Sequence, residues 1–302
     1  MLKTEQLPEV RQRFPLVQWY LPAGILLAAV IGTWVYFVQT VQGQLVDAVT
    51  WETAGQRLQF LRGPVRTLLA LLPEIVGVLA VLTFLVLTLI KRRFFASGVA
   101  LVMFLAANAS AQVLKHWIFL RPDLGTGIPY YTGNSLPSGH TVFASAAGFA
   151  LMLVAHPRQR SWVSIVAVTL AVAVGAGTFM ETWHRPADMM AGYFLAGGCA
   201  LLAAGYMANR GPQENHLLQL EAGHVSPVAV WLTGIGLVIS AASLVFFALA
   251  GGVAELSYPF PAFSLWHYLA GLALSTGPGV FTFGLVLWRL EAARPSPLSP
   301  AP

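Results

Sequence analysis

Eight apolar runs, each about as long as a bilayer core requires, divide this chain and confine most of its charge to the gaps between them. The runs fall at about 19–39, 67–90, 94–114, 137–155, 162–180, 187–207, 226–250 and 265–288. Roughly 20 helical residues cross a hydrocarbon core. In lipid, an open chain satisfies its backbone only as helices. The sequence therefore predicts an all-α, polytopic membrane helix bundle of about eight transmembrane helices. Composition agrees, with 57% hydrophobic and only 10% charged residues, against about 25% charged in a soluble domain. The net charge of +5 comes from scattered arginines and three lysines. That pattern points to anionic headgroups rather than nucleic acid. The single cysteine, Cys199, excludes an intrachain disulfide. Residues 21–38 are long for a signal-peptide core and lack a clear cleavage site, so they read as the first span.

Orientation follows from the basic residues. With both termini in the cytoplasm, the inner face carries eleven lysines and arginines and the outer face six. The expected organisation is a cytoplasmic N-terminal segment (1–18), a core carrying the site (19–207), two additional helices (208–291) and a disordered Pro-rich tail (292–302). The outer loop at about 40–66 mixes Leu45, Val46, Val49 and Trp51 with charges, as an in-plane amphipathic helix would. Aromatic residues at 255–263 are expected to anchor at the interface.

Three short segments carry the chemistry. Lys115 ends one run, and Arg121-Pro122 follows. Pro137-Ser138-Gly139-His140 opens another run, and His184-Arg185-Pro186-Ala187-Asp188 opens a third. All three are expected on the outer face. Ionisable residues at a membrane boundary are costly and usually functional. Pro137 suits the first position of a helix, which would leave the N–H groups of Ser138 and Gly139 free for an anion. Asp188 falls in the first turn after Pro186, where the dipole favours a carboxylate. From there it is placed to fix the tautomer of His184, leaving one ring nitrogen free as a nucleophile. Lys115 and Arg121 suit the non-bridging oxygens of a phosphate.

In this order and spacing the segments resemble the type-2 phosphatidic acid phosphatase family, over roughly residues 60–207. The resemblance implies a six-helix core and hydrolysis, without a cofactor, of a lipid phosphate or diphosphate drawn from the bilayer; no histidine and carboxylate cluster shows metal-ligand spacing, so the chemistry is expected to be metal-independent. It gives His184 the role of nucleophile, His140 that of acid and base, and Asp188 that of orienting group. Lys115, Arg121, Ser138 and Gly139 become the phosphate-binding residues. Polyprenyl and phosphatidate-type substrates both remain open. Two departures stand out. Five residues rather than six separate Lys115 from Arg121, and Thr178 and Gly177 occupy the positions of the family's third-motif arginine and its preceding serine. Arg185 is the nearest substitute for that arginine. A non-catalytic relative that binds or transports a lipid phosphate is the alternative. Glu74, inside the second run, and Glu181 and Trp183, beside the third motif, are secondary candidates. His116 and His267 read as interface histidines.

Overall fold

The computed structural model describes residues 13–58, 64–128, 133–220, 223–260 and 262–295. Residues 1–12 of the expected N-terminal segment and 296–302 of the expected tail lie outside that set. Ten α-helices occur among the described residues. They are α1 (Val17–Gln39), α2 (Val41–Leu58), α3 (Pro64–Lys91), α4 (Phe94–Val113), α5 (Gly139–Val154), α6 (Arg160–Met180), α7 (Pro186–Arg210), α8 (Pro212–Leu220), α9 (Pro227–Leu249) and α10 (Leu265–Ala292). All eight apolar runs are helices. The protein is an all-α, polytopic helical bundle in which, among the described residues, seven helices are long and apolar enough to cross a membrane. The eighth, α5, has only 16 residues, about 24 Å at 1.5 Å per residue. Leu136 and Ser138, just before it, are fully buried. The coil leading into α5 is thus covered by protein, as non-helical backbone at membrane depth must be.

Helix α7 is the axis of the bundle. It packs against α1, α4, α5 and α10, and small residues let its neighbours approach closely. A Cβ at Gly192 would lie 3.1 Å from the Thr141 side chain, so this glycine sets the α5–α7 separation beside the site. Helix α9 packs mainly on α10. There a Cβ on Gly277 would come within 2.6 Å of the Ser240 amide. The amphipathic segment expected in the first loop is α2, which packs against α1, α6, α7 and α10. The short α8 follows α7 after a break at Gly211 and has no counterpart in the pattern of apolar runs.

The bundle has two polar ends. At one, Arg93 donates to the carbonyls of Val154 (2.8 Å) and Ala155 (3.0 Å) and pairs with Glu214 at 3.5 Å. The start of α1 and the end of α10 meet there, with Arg289 donating to the Gln18 carbonyl at 2.6 Å. The C-terminus of α4, the N-terminus of α5 and the α6–α7 turn gather at the other end. There Asn134 Nδ2 donates to the carbonyls of Lys115 (3.2 Å), Phe119 (2.7 Å) and Leu136 (3.2 Å), and the Ser138 N–H to the Asp188 carbonyl (2.9 Å).

Candidate active site

The first segment begins where α4 widens into a single π-helical turn, Leu114–Ile118. Such turns are frequent at functional sites. Lys115 stands on it, and the carbonyl bonds of Asn134 tie that turn to the coil before α5. Arg121 lies in the irregular chain beyond, as expected of a residue before proline.

In the second segment, α5 begins at Gly139 rather than Pro137. Ser138 is the N-cap, its Oγ accepting the Thr141 N–H at 3.3 Å. The expectation of a free Ser138 N–H is therefore corrected, since it donates to the Asp188 carbonyl at 2.9 Å. Gly139 and His140 hold the first two helical positions, where no carbonyl within the helix can accept their N–H groups. The His140 ring is 5.5 Å from that of Trp183 and 5.8 Å from that of His184, centre to centre. Its buried Nδ1 has no partner among the described residues. Glu74 on α3 and Lys115 act on His140 electrostatically.

The third segment turns tightly out of α6. The Thr178 carbonyl accepts the N–H groups of Trp183 (2.9 Å) and His184 (3.3 Å), while Thr182 adopts a left-handed φ of 58°. Pro186 then opens α7, and Asp188 sits in its first turn. Asp188 is 2% exposed. Its Oδ2 lies 3.2 Å from His184 Nδ1 and accepts the Arg185 N–H (2.9 Å) and the Ser135 hydroxyl (2.5 Å). An ionised carboxylate can only accept. His184 Nδ1 therefore carries the hydrogen, which leaves Nε2 as the lone-pair nitrogen of the neutral ring.

Arg185 points toward the coil before α5. Its guanidinium reaches Gly133 O (3.4 Å) and Ser135 Oγ (3.3 Å) and lies 5.9 Å from the Trp51 ring. Thr178 is buried, and its hydroxyl bonds back to the Gly175 carbonyl at 2.9 Å. His267, expected as an interface histidine, is covered by protein. It is 3% exposed, packed 5.9 Å from the Phe247 ring. His116 is exposed.

Sequence reasoning missed three residues here: Asn134, Ser135 and Asp47. Asp47, on α2, is 1% exposed, and its Oδ1 accepts the Ala187 N–H at 3.1 Å. Burial first, then repulsion from Asp188, raises its carboxyl to about 7, with Arg185, the Ala187 bond and Arg121 opposing. The signal was a lone aspartate between Leu45-Val46 and Ala48-Val49. Among the described residues, no group of three or more His, Cys, Asp or Glu side chains is arranged to hold a metal ion.

The model of the PAP2 superfamily matches residues 96–212. That stretch runs from α4 to the start of α8 and contains all three segments. Neither the curated proteins nor the solved structures give a match.

Proposed function

We propose, from the match of residues 96–212 to the model of the PAP2 superfamily, whose members are generally phosphatases, that this chain is a membrane phosphatase acting on a lipid phosphate or diphosphate. The observation that carries the reading is the His184–Asp188 pair at 3.2 Å with the His140 ring 5.8 Å from that of His184. His184 Nε2 attacks phosphorus as the bond to the lipid oxygen breaks, and His140 gives its proton to that oxygen. His140 then takes a proton from water, whose oxygen displaces His184 and releases phosphate. Asp188 holds the His184 tautomer and the imidazolium that develops. Lys115, Arg121 and the N–H groups opening α5 stabilise charge on the transferring group.

The lipid tail has a path. An apolar groove of about 210 Å³ runs between α3, α4 and α5, lined by Gly77, Phe104, Phe143 and Ala147. Phe143 lies one turn below His140, and Gly77 one turn below Glu74. The distribution of basic residues along the sequence supports an orientation with this end of the bundle outside the cytoplasm and both termini within.

Phosphate release from a panel of polyprenyl phosphates, polyprenyl diphosphates and phosphatidates tests the reading. The wild type is expected to hydrolyse at least one, and His184→Ala none. Lipid binding with no phosphate release by the wild type would instead identify a non-catalytic carrier.

A further inference from the structure

Gln44, Asp47 and Trp51 stand at i, i+3 and i+7 on α2, so their side chains share one helix face. Each makes a polar bond to a different part of the site. Gln44 Nε2 donates to the carbonyl of Pro122, directly after Arg121, at 3.0 Å. Asp47 Oδ1 accepts the N–H of Ala187, directly before Asp188, at 3.1 Å. Trp51 Nε1 donates to the Thr182 carbonyl at 2.9 Å, two residues before His184. Thr182 is the residue at φ 58°, a conformation that costs of order 1–3 kcal/mol and persists only where the surroundings impose it. Helix α2 ends at Leu58, well before the family match begins at residue 96.

The burial of Asp47 is not that of an ordinary packing residue. Its second oxygen is buried with no partner among the described residues. A carboxylate in that state is costly, and Asp188, Arg185 and Arg121 are the charges that act on it. Helix α2 thus fastens the first and third segments through three separate bonds, while the hydrogen bonds of Asn134 and Ser138 fasten the first and third to the second.

We propose that α2 is the clamp of the site, and that Asp47 is a positioning residue that sets His184 and Asp188 through the first turn of α7. This rests on the phosphatase reading above. Positioning acts on the chemical step, because a misplacement of about 1 Å far from the chemistry can cost about 100-fold in rate. Asp47 lies against backbone, so its loss is expected in kcat and not in KM. Asparagine offers the same acceptor oxygen and is expected to restore the rate.

The test is steady-state phosphate release from dioctanoyl phosphatidate and a short-chain polyprenyl diphosphate by the full-length protein in micelles. Asp47→Ala is expected to lower kcat about 10- to 100-fold with KM within about twofold. Asp47→Asn is expected to stay within about threefold of wild type, and Trp51→Phe, which keeps the ring but loses the N–H, to lose about three- to tenfold in kcat alone. Wild-type kcat in Asp47→Ala, equal loss in Asp47→Ala and Asp47→Asn, or a loss confined to KM would each overturn the clamp. If Asp47→Ala does not fold, Trp51→Phe decides, and wild-type kcat there overturns it. His184→Ala is the reference arm. Phosphate release surviving in that variant overturns the hydrolase reading itself, and the clamp with it.

Discussion

The two polar ends of the bundle bury charge in opposite ways. At the end away from the histidines, Arg93 and Glu214 are each 3% exposed, and they neutralise each other at 3.5 Å. The carbonyls of Val154 and Ala155 take further Arg93 donors. At the histidine end, Asp47 and Asp188 are both buried, burial and then Asp188 raise the Asp47 carboxyl, and both Asp47 Oδ2 and His140 Nδ1 lack partners among the described residues. The first arrangement pairs opposite charges, although Arg93 Nε is itself buried with no partner among the described residues. The second brings two carboxyls under the influence of the same arginine and sets an imidazole with an unpartnered nitrogen 5.8 Å, ring to ring, from a second imidazole. The difference teaches that neither burial nor an unpartnered atom marks function by itself. Titratable groups clustered within reach of one another do.

Removing groups at the two ends should therefore break different properties. The largest effect is expected from His184→Ala, which should lower phosphate release at least about 1,000-fold, as loss of a nucleophile does. Its melting temperature in micelles should stay near that of the wild type. Glu214→Ala should do the reverse. Breaking one partner of a buried pair costs about 3–5 kcal/mol, so thermal unfolding should shift strongly downward while kcat per folded molecule is unchanged. A fall in kcat without loss of stability in that variant would erase the distinction between the ends.

Asp47 sharpens the comparison through pH. Its carboxyl is raised from 3.8 to about 7, so between those values the folded protein holds a proton that the unfolded chain has released. Stability attributable to this group therefore falls as pH rises from about 4 to about 7, and is level above. Asp188 adds to the shift, while Arg185 and Arg121 oppose it. Asp47→Asn should flatten that part of a melting-temperature profile; an unchanged slope would show that Asp47 does not titrate there. The smallest expected effect is that of Ser138→Ala, which removes the cap of α5 and should cost about 1 kcal/mol, read as a modest fall in melting temperature.

Much of this architecture was legible in advance because lipid enforces it. Each apolar run became a helix, and Pro186 opened α7 as its fixed φ and missing N–H favour. The PSGH segment misled by two residues. Ser138 outcompetes Pro137 for the helix start because its hydroxyl caps Thr141, and its own amide is taken by the Asp188 carbonyl. The partners that Arg185 takes, Gly133 and Ser135, could not be read from the sequence. That choice depends on where the coil before α5 runs, and spacing along the chain does not encode it. Asp47 was hidden for a similar reason. An amphipathic loop helix is ordinarily read as lying on the membrane surface, and only its packing against α7 turns one aspartate inward. His267 looked interfacial because it sits near a helix start, yet α9 supplies Phe247 to cover it.

The central claim is that His184 and His140 act on one phosphoryl group held at this end of the bundle. Its most direct test is to quench the wild-type protein in alkali during turnover of a lipid substrate labelled with radioactive phosphate, then map the label by peptide. The account predicts an acid-labile, alkali-stable phosphoryl group on the peptide containing His184, lengthened in lifetime by His140→Ala and absent in His184→Ala. Label on another residue, or undiminished labelling and release in His184→Ala, would contradict it.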